Sequence, residues 1–230
     1  MCATCGCSVT EHDHGHTVTL EQKVLAHNDK LAERNREWLV GQDILAINLM
    51  SSPGSGKTTL LERTIRDLAG GPEIAVVEGD QETEFDADRI RATGCRVVQL
   101  NTGAGCHLDA EMLHRALHSL DPRPGSLVFV ENVGNLVCPA LFDLGESGRA
   151  VVMSVTEGAD KPLKYPHMFR TADVVLLNKV DLLPYVDFAV DRFREYLNRV
   201  NPTVELLQVS ATRGDGIRDW YTWLSERKSR

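Results

Sequence analysis

Two groups of residues in this 230-residue chain have the types and spacing to do chemistry. The first is SSPGSGKTT, Ser51 to Thr59. A phosphate-binding loop reads G-x-x-x-x-G-K-[ST]. Gly56-Lys57-Thr58 fits that pattern, while Ser51 stands where the first Gly is expected and Gly54 supplies the flexibility instead. Backbone N–H groups of Gly54, Ser55, Gly56, Lys57, Thr58 and Thr59, at the start of a helix, can surround phosphate oxygens. Lys57 adds a formal charge for the β- and γ-phosphates, and the Thr58 hydroxyl suits Mg²⁺. Two carboxylates could serve the same ion: Asp80, ending EIAVVEGD, and Glu131, ending SLVFVE. In open α/β sheets such strand ends share one edge with the ligand.

A base-reading element lies farther along. Asn178-Lys179-Val180-Asp181 is NKxD, the guanine-reading element of GTPases. Asp181 would accept from guanine N1–H and the 2-amino group. Adenine offers neither, and a buried carboxylate left without donors rejects it. Lys179 would lie along the base, and Asn178 would tie this loop to the phosphate loop. Ser210-Ala211-Thr212 resembles the element that backs guanine O6 through a backbone N–H. Glu131-Asn132-Val133-Gly134 takes the place of DxxG; no Gln follows it, and Asn135 is the nearest amide. Slow intrinsic hydrolysis of GTP to GDP is expected.

The second group is soft-donor chemistry. Cys2, Cys5 and Cys7 fall within MCATCGC, Cys106-His107 in NTGAGCHLD, and Cys138 in ENVGNLVCPALFDLGE. Thiolates and imidazole suit Ni²⁺ and Zn²⁺. The three N-terminal sulfurs lack one donor for a flat nickel site, and the Cys2 amine could supply it once Met1 is removed. Cys106, His107 and Cys138 are too few for a closed tetrahedral site, so a two-fold-related copy could share them. Cys95, placed inside a strand, reads as a small apolar residue.

Something must position these groups. Apolar residues make up 42% and charged residues 25% of the chain, enough for a sizeable core, and the formal net charge is −8. An acidic balance argues against nucleic acid and against a polybasic membrane anchor. No apolar run approaches a spanning helix and no basic-then-apolar leader opens the chain, so a cytoplasmic protein with reduced thiols is expected. Residues 1–19 read as a flexible metal-binding tail and 20–230 as one domain. Leu20, Val24, Leu31 and Trp38 predict a helix over about 20–40 that ends at Gly41. DILAINLM, EIAVVEG, CRVVQL, SLVFVEN, AVVMSV, DVVLLNK and VELLQVS are short apolar runs. Most are separated by segments able to form helices. That alternation predicts an α/β fold, a mostly parallel sheet flanked by helices.

MCATCGC, SSPGSGKTTLL, EGD, NTGAGCHLD, ENVGNLVCPALFDLGE, TEGADKPLKYP and NKVDLLPYVDF together resemble the HypB family of hydrogenase nickel-insertion GTPases. The resemblance runs over nearly the whole chain. It implies a P-loop GTPase of the SIMIBI class that forms a GTP-dependent homodimer and delivers nickel to the [NiFe]-hydrogenase large subunit. It also implies the zinc-containing nickel chaperone HypA as partner. The urease accessory family UreG is similar in the phosphate loop but lacks the CxxCGC tail and has Cys-Pro-His where this chain has Gly105-Cys106-His107. Many HypB proteins carry a long His-rich segment, whereas here only His12, His14 and His16 stand after the tail. Two other classes compete: a passive metal store whose loop only binds nucleotide, and a signalling GTPase with incidental cysteines.

Overall fold

The computed structural model describes residues 13–80, 85–102 and 107–229, with side chains from residue 22 onward except that of Asp80. Cys2, Cys5, Cys7, His12 and Cys106 lie outside the described residues, as do the side chains of His14 and His16. Helix α1 (Asp13–Gly41) leads into strand β1 (Leu45–Ser51) and helix α2 (Lys57–Asp67). Then follow β2 (Ile74–Asp80), α3 (Phe85–Arg91), β3 (Arg96–Asn101), α4 (Ala110–Leu120) and β4 (Leu127–Glu131). The second half holds β5 (Gly148–Ser154), the short α5 (Lys161–Lys164) and α6 (Pro166–Arg170), β6 (Val174–Asn178), α7 (Val190–Val200), β7 (Glu205–Gln208) and α8 (Ile217–Lys228).

All seven apolar runs form strands. They make one sheet in the order β3-β2-β4-β1-β5-β6-β7. Every pairing is parallel, so the sheet is wholly rather than mostly parallel. β1 is central and buried along its whole length. Its odd residues Leu45, Ile47 and Leu49 pack with Leu60, Leu61, Trp220 and Trp223 of α2 and α8. On its other side Ala46 joins Leu113 and Leu117 of α4, while Met50 joins Phe169 of α6 and Phe193 of α7. Side-chain alternation thus buries both faces, which is why these strands read as continuous apolar runs. Chain order reverses about β1: β2 lies on one side of it and β5 on the other, so a crevice opens at the strand ends there.

α1 differs from its sequence reading in start and in face. It is helical from Asp13, earlier than the apolar spacing marks. The residues that bury are Asn28, Ala32, Asn35 and Leu39, whereas Val24 is 49% exposed. The polar amides turn inward because backbone groups await them. Asn28 Nδ2 donates to the Asp143 carbonyl (2.8 Å), and its Oδ1 accepts from the Ala110 N–H (2.9 Å). Asn35 Nδ2 reaches both the Ala110 carbonyl (2.8 Å) and the Leu144 carbonyl (3.0 Å). Gly145 is required at this junction: its φ is +85°, and a Cβ there would meet the Ala32 carbonyl oxygen at 2.2 Å. Cys95 sits just before β3, half-buried. Its Sγ lies 3.2 Å from the Ile74 carbonyl, and burial pushes the thiol up to about 11. It is therefore a poor thiolate donor at neutral pH.

Asn35→Ala strands two buried carbonyls and should cost about 2 kcal/mol in urea denaturation. Val24→Ala, on the exposed side, should change stability by less than about 0.5 kcal/mol. Equal losses would contradict the assignment of the buried face.

Candidate nucleotide and metal site

The phosphate loop turns from β1 into α2 through Gly54 and Gly56, with φ of +73° and +99°. Both lie in the left-handed region, where glycine carries no Cβ penalty. At Gly56 space is limiting too, since a Cβ would lie 2.5 Å from Asn178 Nδ2. Lys57 is buried, and its Nζ donates to Ser51 Oγ at 2.7 Å. Ser51, in the place of the first glycine of the pattern, thus holds the lysine.

The magnesium candidates converge. Thr58 Oγ1 donates to Glu131 Oε1 at 2.8 Å. β4 pairs with β2 so that Glu131 stands opposite Glu78, and Asp80 ends that neighbouring strand at the same edge. Burial pushes the Glu131 carboxyl up, against the pull of the Lys57 charge and the Thr58 hydrogen bond. Its second oxygen, Oε2, is buried with no hydrogen-bond partner among the described residues, as is Ser55 Oγ. Buried orphans of this kind are what a bound ion or phosphate would satisfy. The donor set, a hydroxyl and carboxylates, fits a hard divalent cation such as Mg²⁺.

β6 delivers the base-reading loop. Asn178 Nδ2 donates to the Ser55 carbonyl (2.9 Å), and its Oδ1 accepts from the Ala211 N–H (3.0 Å). Lys179 has a left-handed φ of +62°, and its Nζ donates to the Gly54 carbonyl at 2.6 Å. Asp181 Oδ1 accepts from Ser210 Oγ at 2.6 Å. A cavity of about 470 Å³ is walled by Gly54, Gly56, Lys57, Thr58, Thr59 and Glu131, among others. A second, of about 250 Å³, is walled by Asn178, Lys179, Asp181 and Ala211, and both include Gly56, Thr59 and Lys179. Together they have the form of a phosphate compartment joined to a base compartment.

The candidate metal loops meet beside this edge. The His107 ring stacks on Phe142, with centroids 4.0 Å apart and 25° between planes. Phe142 lies four residues past Cys138, which begins a short 3₁₀ turn, Cys138–Ala140. Burial pushes the His107 imidazole down, against the nearby Asp109 charge. The neutral ring it favours is the form that binds metal. Among the described residues, no three His, Cys, Asp or Glu side chains gather as a metal site. Leu182 and Leu183 pack partly against the core, leaving Tyr185, 83% exposed, as the projecting part of the apolar stretch after NKVD.

The family described as CobW/HypB/UreG, nucleotide-binding domain, matches residues 45–208. The hydrogenase maturation factor HypB of Azotobacter vinelandii is 54% identical over 209 residues, 91% of this chain and 69% of that protein. The chain belongs to the HypB family of hydrogenase maturation factors. Its fold is similar to the crystal structure of HypB from Archaeoglobus fulgidus (TM-score 0.82, 39% identity, covering 89% of this chain and all of that one). It is equally similar to HypB from Helicobacter pylori in complex with nickel (TM-score 0.82, 38% identity, 88% and 95% covered).

Three features of this HypB-family site add to the residues assigned from the motifs. Asp86 and Arg89 of α3 wall the phosphate compartment. Glu157 of TEGADKPLKYP accepts from Ser52 Oγ and from the Ser154 N–H (3.0 Å), pinning the start of the phosphate loop to the end of β5. A buried polar chain then joins the two loops of interest. Glu146 Oε1 accepts from Asn48 Nδ2 (3.2 Å), and Asn48 Oδ1 accepts from Asn132 Nδ2 (3.3 Å). Asn132 Oδ1 accepts from the Leu108 N–H (3.2 Å). Asn132 adjoins Glu131 and Leu108 adjoins His107, so the nucleotide edge and the metal loop share one amide. Gly134 completes the fit, because a Cβ there would lie 3.0 Å from Pro53 Cα.

Glu131 makes stability depend on pH in a defined direction. The folded state keeps its carboxyl protonated to a higher pH than the unfolded chain, where it titrates near 4.5. The folded state then binds more protons, so this contribution falls as pH rises above that value. In nucleotide- and magnesium-free protein, Glu131→Gln should gain on the wild type between pH 4.5 and 8 in urea midpoints. A constant difference across that range would count against the raised carboxyl.

Proposed function

We propose that this chain is a nickel metallochaperone GTPase, cytoplasmic, that hydrolyses GTP and delivers nickel during maturation of a [NiFe]-hydrogenase. The observation that carries the reading is the meeting of Asn178-Lys179-x-Asp181 with the phosphate loop at one joined cavity. Asp181 and the Ala211 N–H read guanine, and the Ser210 hydroxyl orients the carboxylate. On phosphate binding Lys57 exchanges Ser51 Oγ for phosphate oxygens. Thr58, Glu131 and Asp80 hold Mg²⁺, which supplies positive charge to the β- and γ-phosphate oxygens when bound. Gly54 to Thr59 surround the phosphates with backbone N–H groups.

Nickel is cargo in this reading. Residues 1–19 form the arm that captures it through Cys2, Cys5 and Cys7, and residues 20–230 form the GTPase domain. Cys106, His107 and Cys138 form the second site, for nickel or zinc, pooled across a GTP-dependent homodimer. The nickel-bound relative and the His107–Phe142 stack support that placement. HypA and the hydrogenase large subunit are the partners. No helix among the described residues is long and apolar enough to cross a membrane.

Phosphate release measured with GTP and ATP tests the guanine assignment. The wild type should strongly prefer GTP, and Asp181→Asn should shift preference to xanthosine nucleotides, whose 2-carbonyl accepts from the new amide. Equal use of GTP and ATP by the wild type sinks it. The cargo reading is tested separately, by titrating nickel into protein lacking residues 1–7 in GDP and in a non-hydrolysable GTP analogue, with mass followed by light scattering. Metal affinity and dimer fraction should both change with nucleotide. Identical isotherms on a constant monomer would remove the coupled site.

A further inference from the structure

The phosphate compartment holds a guanidinium that the reading above does not use. Arg89, on α3, lines the cavity alongside Lys57, Thr58 and Glu131. Its Nη2 lies 3.1 Å from Thr59 Oγ1, next in sequence to the magnesium candidate Thr58. The same nitrogen donates to Glu62 Oε2 at 2.8 Å, and Nη1 donates to Asp86 Oδ1 at 3.1 Å. The side chain is 42% exposed, and its bonds are to side-chain oxygens rather than to backbone. The other cations of the compartment likewise rest on local partners, Lys57 on Ser51 and Lys179 on the Gly54 carbonyl.

With Lys57 and Mg²⁺ assigned to the β- and γ-phosphates, no side chain named so far positions the attacking water or adds charge as the γ-phosphate bond breaks. No Gln follows Glu131-Asn132-Val133-Gly134, and Asn135 Oδ1 is taken by the Val137 N–H at 2.8 Å. Water attack on the γ-phosphorus breaks its bond to the bridging oxygen. That oxygen leaves on GDP with the electron pair, phosphate keeps the water oxygen, and one proton is released. Negative charge grows on the bridging oxygen, which is where a planar, always-charged donor acts best. A guanidinium supplied by the same chain does this in other phosphoryl-transfer sites.

We propose that Arg89 is that group: an arginine supplied in cis, tethered to Glu62 and Asp86 when the site is empty, that turns onto the phosphates of bound GTP. This assignment rests on the GTPase reading. A purely structural role would instead make Arg89 a strut between α2, which carries Glu62, and α3.

Steady-state hydrolysis and thermal unfolding of the full chain separate the two roles. Arg89→Ala should lower kcat at saturating GTP by at least about tenfold. GDP affinity should stay within about threefold, and Arg89→Lys should recover part of the rate. Glu62→Gln, which loosens the tether but keeps the arginine, should leave kcat at or above the wild-type value. An unchanged kcat in Arg89→Ala, or equal losses of Tm and rate in Arg89→Ala and Glu62→Gln, would make Arg89 a strut and overturn the proposal. A wild type that binds GTP without hydrolysing it would overturn this assignment together with the GTPase reading. A wild type that hydrolyses GTP, beside an Arg89→Ala variant of equal kcat and KM, would overturn the Arg89 assignment alone.

Discussion

One buried amide holds the nucleotide compartment together. Asn178 is the last residue of β6, and its side chain bonds the Ser55 carbonyl on one side and the Ala211 N–H on the other. Three segments far apart in sequence thereby share two buried hydrogen bonds. Each such bond is modest in net terms, but leaving either backbone group unpaired there costs the full desolvation penalty. The amide also dictates its neighbour. Gly56 must lack a side chain because Asn178 occupies the space. The loop's left-handed turn and the base loop's position are therefore one constraint.

Charge is organised around that frame. Lys57, Thr58 and Glu131 form a buried set in which the carboxyl is only partly compensated. Burying a charge without a full partner set is costly, so an empty site of this kind favours the neutral acid. A divalent cation held by these donors would reverse the balance.

The candidate metal loops are tied into the same frame by amides as well as by apolar contact, Leu108 and Leu136 lying in the core. Asn28 and Asn35 of α1 bracket Ala110, taking its N–H and its carbonyl, and also hold the Asp143 and Leu144 carbonyls. Asn48, Asn132 and Glu146 continue this polar seam on the side of β1 that separates two apolar clusters. Arg149 Nε, 2.6 Å from Glu146 Oε1, compensates the acid at the far end. Bonded amides of this kind fix the relative positions of the segments they join. Asn132, next in sequence to Glu131, is thereby bonded to the Leu108 N–H, beside His107.

The sequence by itself determined the local chemistry. Seven β-rich apolar runs could only be doubly covered strands, and alternation with helices made their sheet parallel. Parallel strands place their carboxyl ends on one edge, which is why motifs at Gly56, Glu131 and Asn178 could be assigned to one crevice before any coordinates. Tertiary structure decided what periodicity cannot encode. An inward Asn on α1 is indistinguishable from a solvated one until the backbone groups it satisfies are known, so apolar spacing alone places the buried face of α1 too far toward Val24. The roles of Arg89 and Glu157 depend on which segments the topology brings beside the phosphate loop, and no local pattern marks them. The order β3-β2-β4-β1-β5 was equally hidden, because crossover connections of similar length can place a strand on either side of β1.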